Sequence, residues 1–172
     1  MNAFLLIVPI FLIRFGSLKM INQDALSRAA FFAPLEGCEK VFYLFYQLSN
    51  AFMILYSFFL KIQTKPPLFF IALFIYISGI TVLIIATVNF AKPGQSGINT
   101  NGIYKISRNP MYVGYFIYFL GCVLFTHSML LLISLLVFQI SAHWIILSEE
   151  RWCANKFGTE YINYMNKVKR YI

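Results

Sequence analysis

Charged residues fall in clusters along the chain, and the intervals between clusters predict its helices. Residues 1–13 contain no Asp, Glu, Lys or Arg and carry one break, Pro9. Thirteen helical residues reach only about 20 Å. A first crossing must therefore continue past Arg14, tilt, or thin the bilayer. Residues 14–40 mix Arg14, Lys19, Asp24, Arg28, Glu36 and Glu39 with Phe and Leu, a pattern that predicts a partly helical interfacial segment ended by Pro34 and Gly37. Residues 41–60 are free of charge for twenty positions, the length of one helical crossing. Lys61, Lys65 and Pro66-Pro67 close that run. Leu68–Ala91 forms a third crossing, closed by Lys92-Pro93-Gly94, and a Gly-, Ser- and Asn-rich loop follows at 94–101.

Residues 109–148 run for forty positions without Asp, Glu, Lys or Arg. One helix of that length would extend about 60 Å, twice a hydrocarbon core. The polar pair His127-Ser128 divides it, predicting a tight hairpin of helices at about 111–126 and 129–148. In the tail, 149–172, Phe157, Tyr161, Tyr164, Val168 and Tyr171 recur at helical spacing, predicting an amphipathic helix against the membrane or the bundle. The expected fold is an all-α integral membrane protein of about five transmembrane helices, with a C-terminal helical hairpin and an amphipathic cytoplasmic tail helix. It is one domain over 1–172, with N-terminal spans in 1–92 and the loop, hairpin and tail in 93–172.

Composition supports a lipid environment. The chain is 60% hydrophobic and 12% charged, where soluble domains hold about 25% charged residues. The net charge of +8 lies between apolar runs, where it anchors helix ends, so nucleic-acid binding is not expected. With five crossings, the 14–40 segment, the 92–110 loop and the tail share one face, which holds twelve of the fourteen Lys/Arg and all six acids. The positive-inside rule makes that face cytoplasmic and puts the N-terminus outside. The first apolar run lacks a basic lead and a cleavage site, so it is expected to be a retained span. Cys38, Cys122 and Cys153 have no metal-ligand or redox spacing, and no metal site is expected.

The predicted cytoplasmic face gathers the candidate chemistry. In Arg108-Asn109-Pro110-Met111-Tyr112-Val113-Gly114, Asn109 suits an N-cap and Pro110 a first helical position. The free N–H groups beyond them suit an anion, with Arg108 beside it. Gly114 leaves room for a ligand or a neighbouring helix. The same pattern also fits a simply capped helix with a snorkelling arginine. Glu149-Glu150-Arg151 places two carboxylates at a membrane boundary, able to hold an ammonium or sulfonium group or to serve as ordinary interfacial charge. Gln139, His143 and Glu150 share a helical face, expected to line a pocket against the fourth helix. No HExxH, GxSxG or phosphate-binding Gly-Lys-Ser/Thr pattern occurs, which disfavours metal or serine hydrolysis. No acid falls inside a span, which disfavours an ion-coupled transporter.

Arg108-Asn109-Pro110-Met111-Tyr112, a hydrophobic hairpin, then Glu149-Glu150 resembles the Arg-His-Pro-x-Tyr … Glu-Glu signature of the isoprenylcysteine carboxyl methyltransferase and phospholipid N-methyltransferase family. Phe157-Gly158-Thr159-Glu160-Tyr161, with Tyr164, Val168 and Arg170, is similar to that family's ending. The likeness covers roughly 95–172. It implies S-adenosylmethionine bound at the cytoplasmic end, with Tyr104, Arg108, Asn109, Pro110, Tyr112, Gly114, His143, Glu149, Glu150, Tyr161 and Tyr164 around it. It also implies Glu150, Arg151 and Arg170 as candidates for guiding or deprotonating the acceptor. The implied activity is methylation of a lipid-like or prenylated substrate entering from the bilayer, as in isoprenylcysteine carboxyl O-methylation. Amine N-methylation of a phospholipid is the near alternative, and a scaffold retaining the fold is the non-catalytic one. Sterol reductases share a related bundle but are normally much longer. The short length is similar to prokaryotic members, implying a bacterial or archaeal plasma membrane. Asn109 stands where the family has His, and an amide cannot titrate near neutral pH.

Overall fold

The computed structural model describes residues 1–17, 23–94 and 96–172, and among these every regular element is a helix. The helices are α1 (Val8–Phe11), α2 (Gln23–Ala30), α3 (Glu39–Tyr56), α4 (Leu68–Ala91), α5 (Pro110–Thr126), α6 (Met129–Phe157) and α7 (Thr159–Lys167). A 3-10 turn at Ala3–Leu6 and wide turns at Leu12–Ser17 extend α1 at its two ends. The first apolar segment therefore does continue helically past Arg14. Lys19 lies outside the described residues.

Three helical stretches are long and apolar enough to cross a membrane: Glu39–Phe59, Leu68–Ala91 and Met129–Phe157. Ala3–Arg14 and Pro110–Thr126 are apolar but shorter. Large apolar side chains lie bare on the outer faces, such as Phe74, 73% exposed in the second turn of α4. A surface of that kind is matched by hydrocarbon rather than water, and the protein is an integral membrane protein.

The hairpin breaks where its polar pair predicts. His127 is left-handed (φ 51°), and Ser128 caps α6 by accepting the Leu131 N–H at 3.3 Å. The second arm differs from expectation. It runs to Phe157, nine residues past 148, so Glu149, Glu150 and Arg151 lie on the helix instead of ending it. Each finds a partner inside the protein, so none has to leave for water. Gly158 (φ +58°) then turns the chain into the short α7, and residues 168–172 are not helical. The tail is thus a helix end, a short helix and an extended strap.

Two helix pairs make the core. α4 and α5 meet almost backbone to backbone. A Cβ on Gly121 would lie 2.7 Å from Tyr76 Cα, and one on Gly79 would overlap the Tyr118 backbone. Small residues at such a contact allow close dispersion packing. α3 and α6 meet through stacked rings, Tyr46 on Phe138 at 4.9 Å and Phe42 on Trp144 at 4.8 Å. The first segment is tied across the α4–α5 pair, because the Tyr76 hydroxyl (2.8 Å) and the Tyr118 hydroxyl both donate to the Leu6 carbonyl.

The bundle has two distinct ends. At one, Ala3 N–H donates to the Leu60 carbonyl (2.9 Å), Ile62 N–H to Met1 (3.0 Å) and Gln63 N–H to Phe125 (2.8 Å). At the other lie Arg14, α2, the start of α3, the 92–109 loop and the whole tail, joined by the side-chain contacts described next.

Candidate functional site

The turn 107–109 is sewn to the C-terminal strap. Arg108 N–H donates to the Lys169 carbonyl (3.0 Å), and Ser107 Oγ to the Arg170 carbonyl (3.3 Å). This anchors Arg108 where its guanidinium reaches α6. Nε and Nη2 bond Glu150 Oε1 at 3.0 and 2.9 Å, while Nη1 donates to the carbonyls of Met165 (2.7 Å) and Val168 (3.0 Å). Arg170 takes the other oxygen, with Nε and Nη2 at 3.0 and 2.8 Å from Glu150 Oε2. Glu150 is 3% exposed and saturated by two arginines. The hydrogen bond to Glu150 holds the Arg170 guanidinium above its ordinary range.

Asn109 stands at the N-cap position of α5, yet its side chain does not cap. Its Nδ2 donates to Glu150 Oε1 (3.3 Å) and the Arg170 carbonyl (3.2 Å). The amide therefore supplies donors to the clasp, a task that needs no titration.

Beside the clasp lies a cavity of about 580 Å³, within the range of small-molecule sites. Tyr104, Arg108, Asn109, Tyr112, Glu149, Glu150, Tyr161 and Tyr164 line it. The turn before α5 and the twin glutamates, forty residues apart, thus meet at one end of the bundle. Of the two glutamates, Glu149 faces the cavity differently: it accepts the Tyr112 hydroxyl at 3.0 Å and makes no ion pair among the described residues. A second acceptor, Asn99 Oδ1, is buried in the cavity wall with no hydrogen-bond partner among the described residues. Burial pushes the Tyr164 hydroxyl up to about 12, and it donates to the Tyr104 carbonyl at 2.6 Å. Burial raises Tyr104 and Tyr161 further still. These phenols are neutral donors at any physiological pH.

Five other sequence-designated residues stand outside the lining. Pro110 is buried in the fold at the first position of α5. Gly114 answers the choice between ligand and helix in favour of a helix, since a Cβ there would meet Leu83 of α4 at 2.9 Å. His143 Nδ1 lies 2.7 Å from the Tyr171 hydroxyl, so His143 meets the strap, while Glu150, seven residues on, lines the cavity. Arg151 forks onto Glu39 at 2.7 and 2.8 Å and onto the Pro34 carbonyl at 3.1 Å. Arg170 is occupied by Glu150.

The cavity also contains residues that sequence reasoning did not select. Arg14 and Arg28 enter from the N-terminal third, with Tyr46, Tyr115, Asn99, Trp152 and Phe157. Arg14 carried one signal, an arginine directly after an apolar run. The others carried none.

The sequence model of phospholipid methyltransferases matches residues 66–160, more than half of the chain. That stretch contains α4, α5 and α6, hence the glycine-packed pair, the hairpin and both glutamates. No curated protein and no solved structure matches the chain. With the turn, the hairpin and the twin glutamates assembled inside the matched stretch, the chain belongs to the phospholipid methyltransferase family.

Proposed function

We propose that the protein is a membrane methyltransferase that takes S-adenosylmethionine in the cavity at its cytoplasmic end and methylates a lipid-like acceptor. The observation that carries this reading is the division of labour between adjacent glutamates. Glu150 is saturated by Arg108 and Arg170, whereas Glu149 meets the cavity with only one hydroxyl partner. A buried carboxylate with no direct ion pair among the described residues favours a cationic ligand.

The lining fits the cofactor. Glu149 suits its ammonium, Asn99 Oδ1 offers an acceptor to an amine such as that of adenine, and Trp152 and Phe157 add aromatic rings to the wall. When bound, the cofactor supplies an electrophilic methyl on a sulfonium. The chain's own contribution is positional. The clasp fixes the strap beside the cavity, Tyr112 orients Glu149, and the aromatic wall excludes water. A carboxylate acceptor would need only a cation to guide it, as in isoprenylcysteine carboxyl O-methylation. An amine acceptor would need a base, and Glu149 is the carboxylate in the cavity that is not tied into the clasp. The family match favours phospholipid chemistry, so amine N-methylation stands as the second reading.

Calorimetric titration of the detergent-purified protein with S-adenosylmethionine, S-adenosylhomocysteine and a nicotinamide dinucleotide tests this. Binding of the first two and not the third is expected. Binding of the dinucleotide alone would transfer the case to a reductase, and binding of none would leave a scaffold. Radiolabelled cofactor should then mark the lipid fraction of membranes.

The same reading includes five crossings, with the two shorter apolar helices also spanning and the N-terminus outside. In a cysteine-accessibility scan, Lys65→Cys should label from outside and the exposed Ser96→Cys only from inside. Labelling of both from one face would overturn this topology.

A further inference from the structure

The N-terminal third, which lies outside the matched stretch, places two arginines in the cavity. Arg14 is half-buried. Its Nη1 donates to the Tyr115 hydroxyl at 2.9 Å and its Nη2 to the Ala29 carbonyl at 3.0 Å. A guanidinium carries five N–H donors, and these two bonds use two of them. Arg28 sits one residue before Ala29, packs its guanidinium 5.1 Å from the Phe90 ring centre and donates to the Phe90 carbonyl at 3.3 Å. Among the described side chains, which exclude that of Asp24, neither arginine has a carboxylate partner. This contrasts with Arg108, Arg151 and Arg170, each of which is paired with one.

Charge decides what such a pair is for. Enclosed charge is costly unless an opposite charge meets it. Among the described residues Glu149 is the cavity's one carboxylate outside the clasp, and it shares the lining with Arg14 and Arg28, neither of which forms an ion pair there. The cofactor adds a sulfonium and an ammonium against one carboxylate, so its arrival leaves the excess of positive charge larger. An anionic group on the acceptor would offset that charge. The planar forks suit phosphate or carboxylate oxygens, and Phe31, Phe32 and Phe90 beside them suit an acyl or prenyl chain.

We propose that Arg14 and Arg28 form an anion-binding subsite that holds a phosphate or carboxylate on the acceptor's headgroup while its chain lies along the adjacent phenylalanines. The proposal rests on the cavity being a lipid-methylation site and names the charge of its acceptor. It assigns Arg14 a positioning role at a residue that ends the first apolar run.

The test uses three probes of equal chain length, dodecyl phosphate, laurate and dodecanol, titrated into the full-length protein in a non-ionic detergent. A shift in tryptophan emission on titration reports binding, because Trp152 lines the cavity. At least one anionic probe should bind about tenfold more tightly than dodecanol. Whichever anion gains more identifies the headgroup as phosphate or carboxylate. Arg14→Gln should erase that preference, and Arg14→Lys should retain part of it, having the charge without the fork. S-adenosylhomocysteine affinity should stay within about twofold of the parent in both variants.

Two results overturn the proposal: an anion preference that survives Arg14→Gln, or a loss of S-adenosylhomocysteine affinity equal to the loss for the alkyl anion, which would give Arg14 to the cofactor's carboxylate. Should Arg14→Gln not fold, Arg28→Gln decides by the same two criteria. Should the parent bind neither form of the cofactor yet lose its anion preference in Arg14→Gln, the subsite stands and the methyltransferase reading falls.

Discussion

The two ends of the bundle are closed by different chemistry. At the end bearing Met1, Leu60 and Phe125, the chain segments are joined backbone to backbone, with no ion pair there among the described residues. At the end bearing Arg108 and Glu150, they are joined by side chains, with three arginines on three carboxylates. Backbone bonds are indifferent to side-chain identity, so the first end tolerates substitution at most positions, and its charges, Lys61 and Lys65, are exposed and take no part in the closure. The second end depends on particular residues, and it is the one that surrounds the cavity. The difference teaches that polar side chains here serve two purposes within a few ångströms, closing the fold and facing the cavity. Substitutions can separate the two.

Glu150→Ala should have the largest effect on stability. It leaves Arg108, 8% exposed at its side chain, buried without its counterion. Breaking a buried pair by removing one partner costs about 3–5 kcal/mol. Unfolding in detergent should show that loss, and Glu150→Gln should show less because an amide still accepts hydrogen bonds. A loss below about 1 kcal/mol would mean that the clasp does not hold the strap.

Gly121→Leu follows, and it acts on the helix pair that both ends share. The added side chain meets Tyr76 backbone that cannot rotate away. Overpacking typically costs about 1–3 kcal/mol, and a backbone contact belongs at the upper limit. Gly16→Ala, whose new methyl meets nothing within 4 Å among the described residues, is the control and should remain within about 0.5 kcal/mol. Equal melting of the two variants would remove the glycine contact as a determinant of the fold.

These two substitutions also mark where the sequence could and could not be read. The hairpin was legible because forty uncharged residues exceed a bilayer and His127-Ser128 is the one polar break near their centre. The meeting of Arg108 with Glu150 was legible because a two-helix return leaves no other geometry. The length of α6 was not. A run of Glu-Glu-Arg normally ends a membrane helix, and only tertiary partners, Arg108 and Arg170 for one carboxylate, Tyr112 for another and Glu39 for the arginine, keep it wound. Nor was the entry of Arg14, whose partner Tyr115 lies 101 residues away and leaves no periodic trace. The separate surroundings of Glu149 and Glu150 were equally hidden, since adjacent helical residues point about 100° apart and the sequence does not say which way the cavity lies.

Arg170→Ala should cost less than either. Its side chain is 32% exposed, so water compensates part of what is lost, and hydrogen bonds to charged groups are worth about 1.5–3 kcal/mol at most sites. About 1.5 kcal/mol is expected, with the last residues of the strap becoming accessible to carboxypeptidase while the helices stay protected. Unchanged protection would mean that the backbone bonds of Ser107 and Arg108 to the strap suffice alone.

Glu149→Gln should change stability least, and that is its use. The carboxylate accepts one hydroxyl, from Tyr112, and a glutamine oxygen accepts the same bond, so the shift should lie within about 0.5 kcal/mol. The negative charge facing the cavity is nevertheless gone. A charge-assisted contact to a cationic group is about twice as strong as its neutral counterpart, so affinity for S-adenosylmethionine should fall about tenfold or more. Its neighbour Glu150 should behave the other way round, with Glu150→Gln altering the melting temperature before it alters binding. Were Glu149→Gln to lower stability and Glu150→Gln to abolish cofactor binding with the fold intact, the two glutamates would have exchanged roles. The clasp, and not the free carboxylate, would then be the cofactor's ligand.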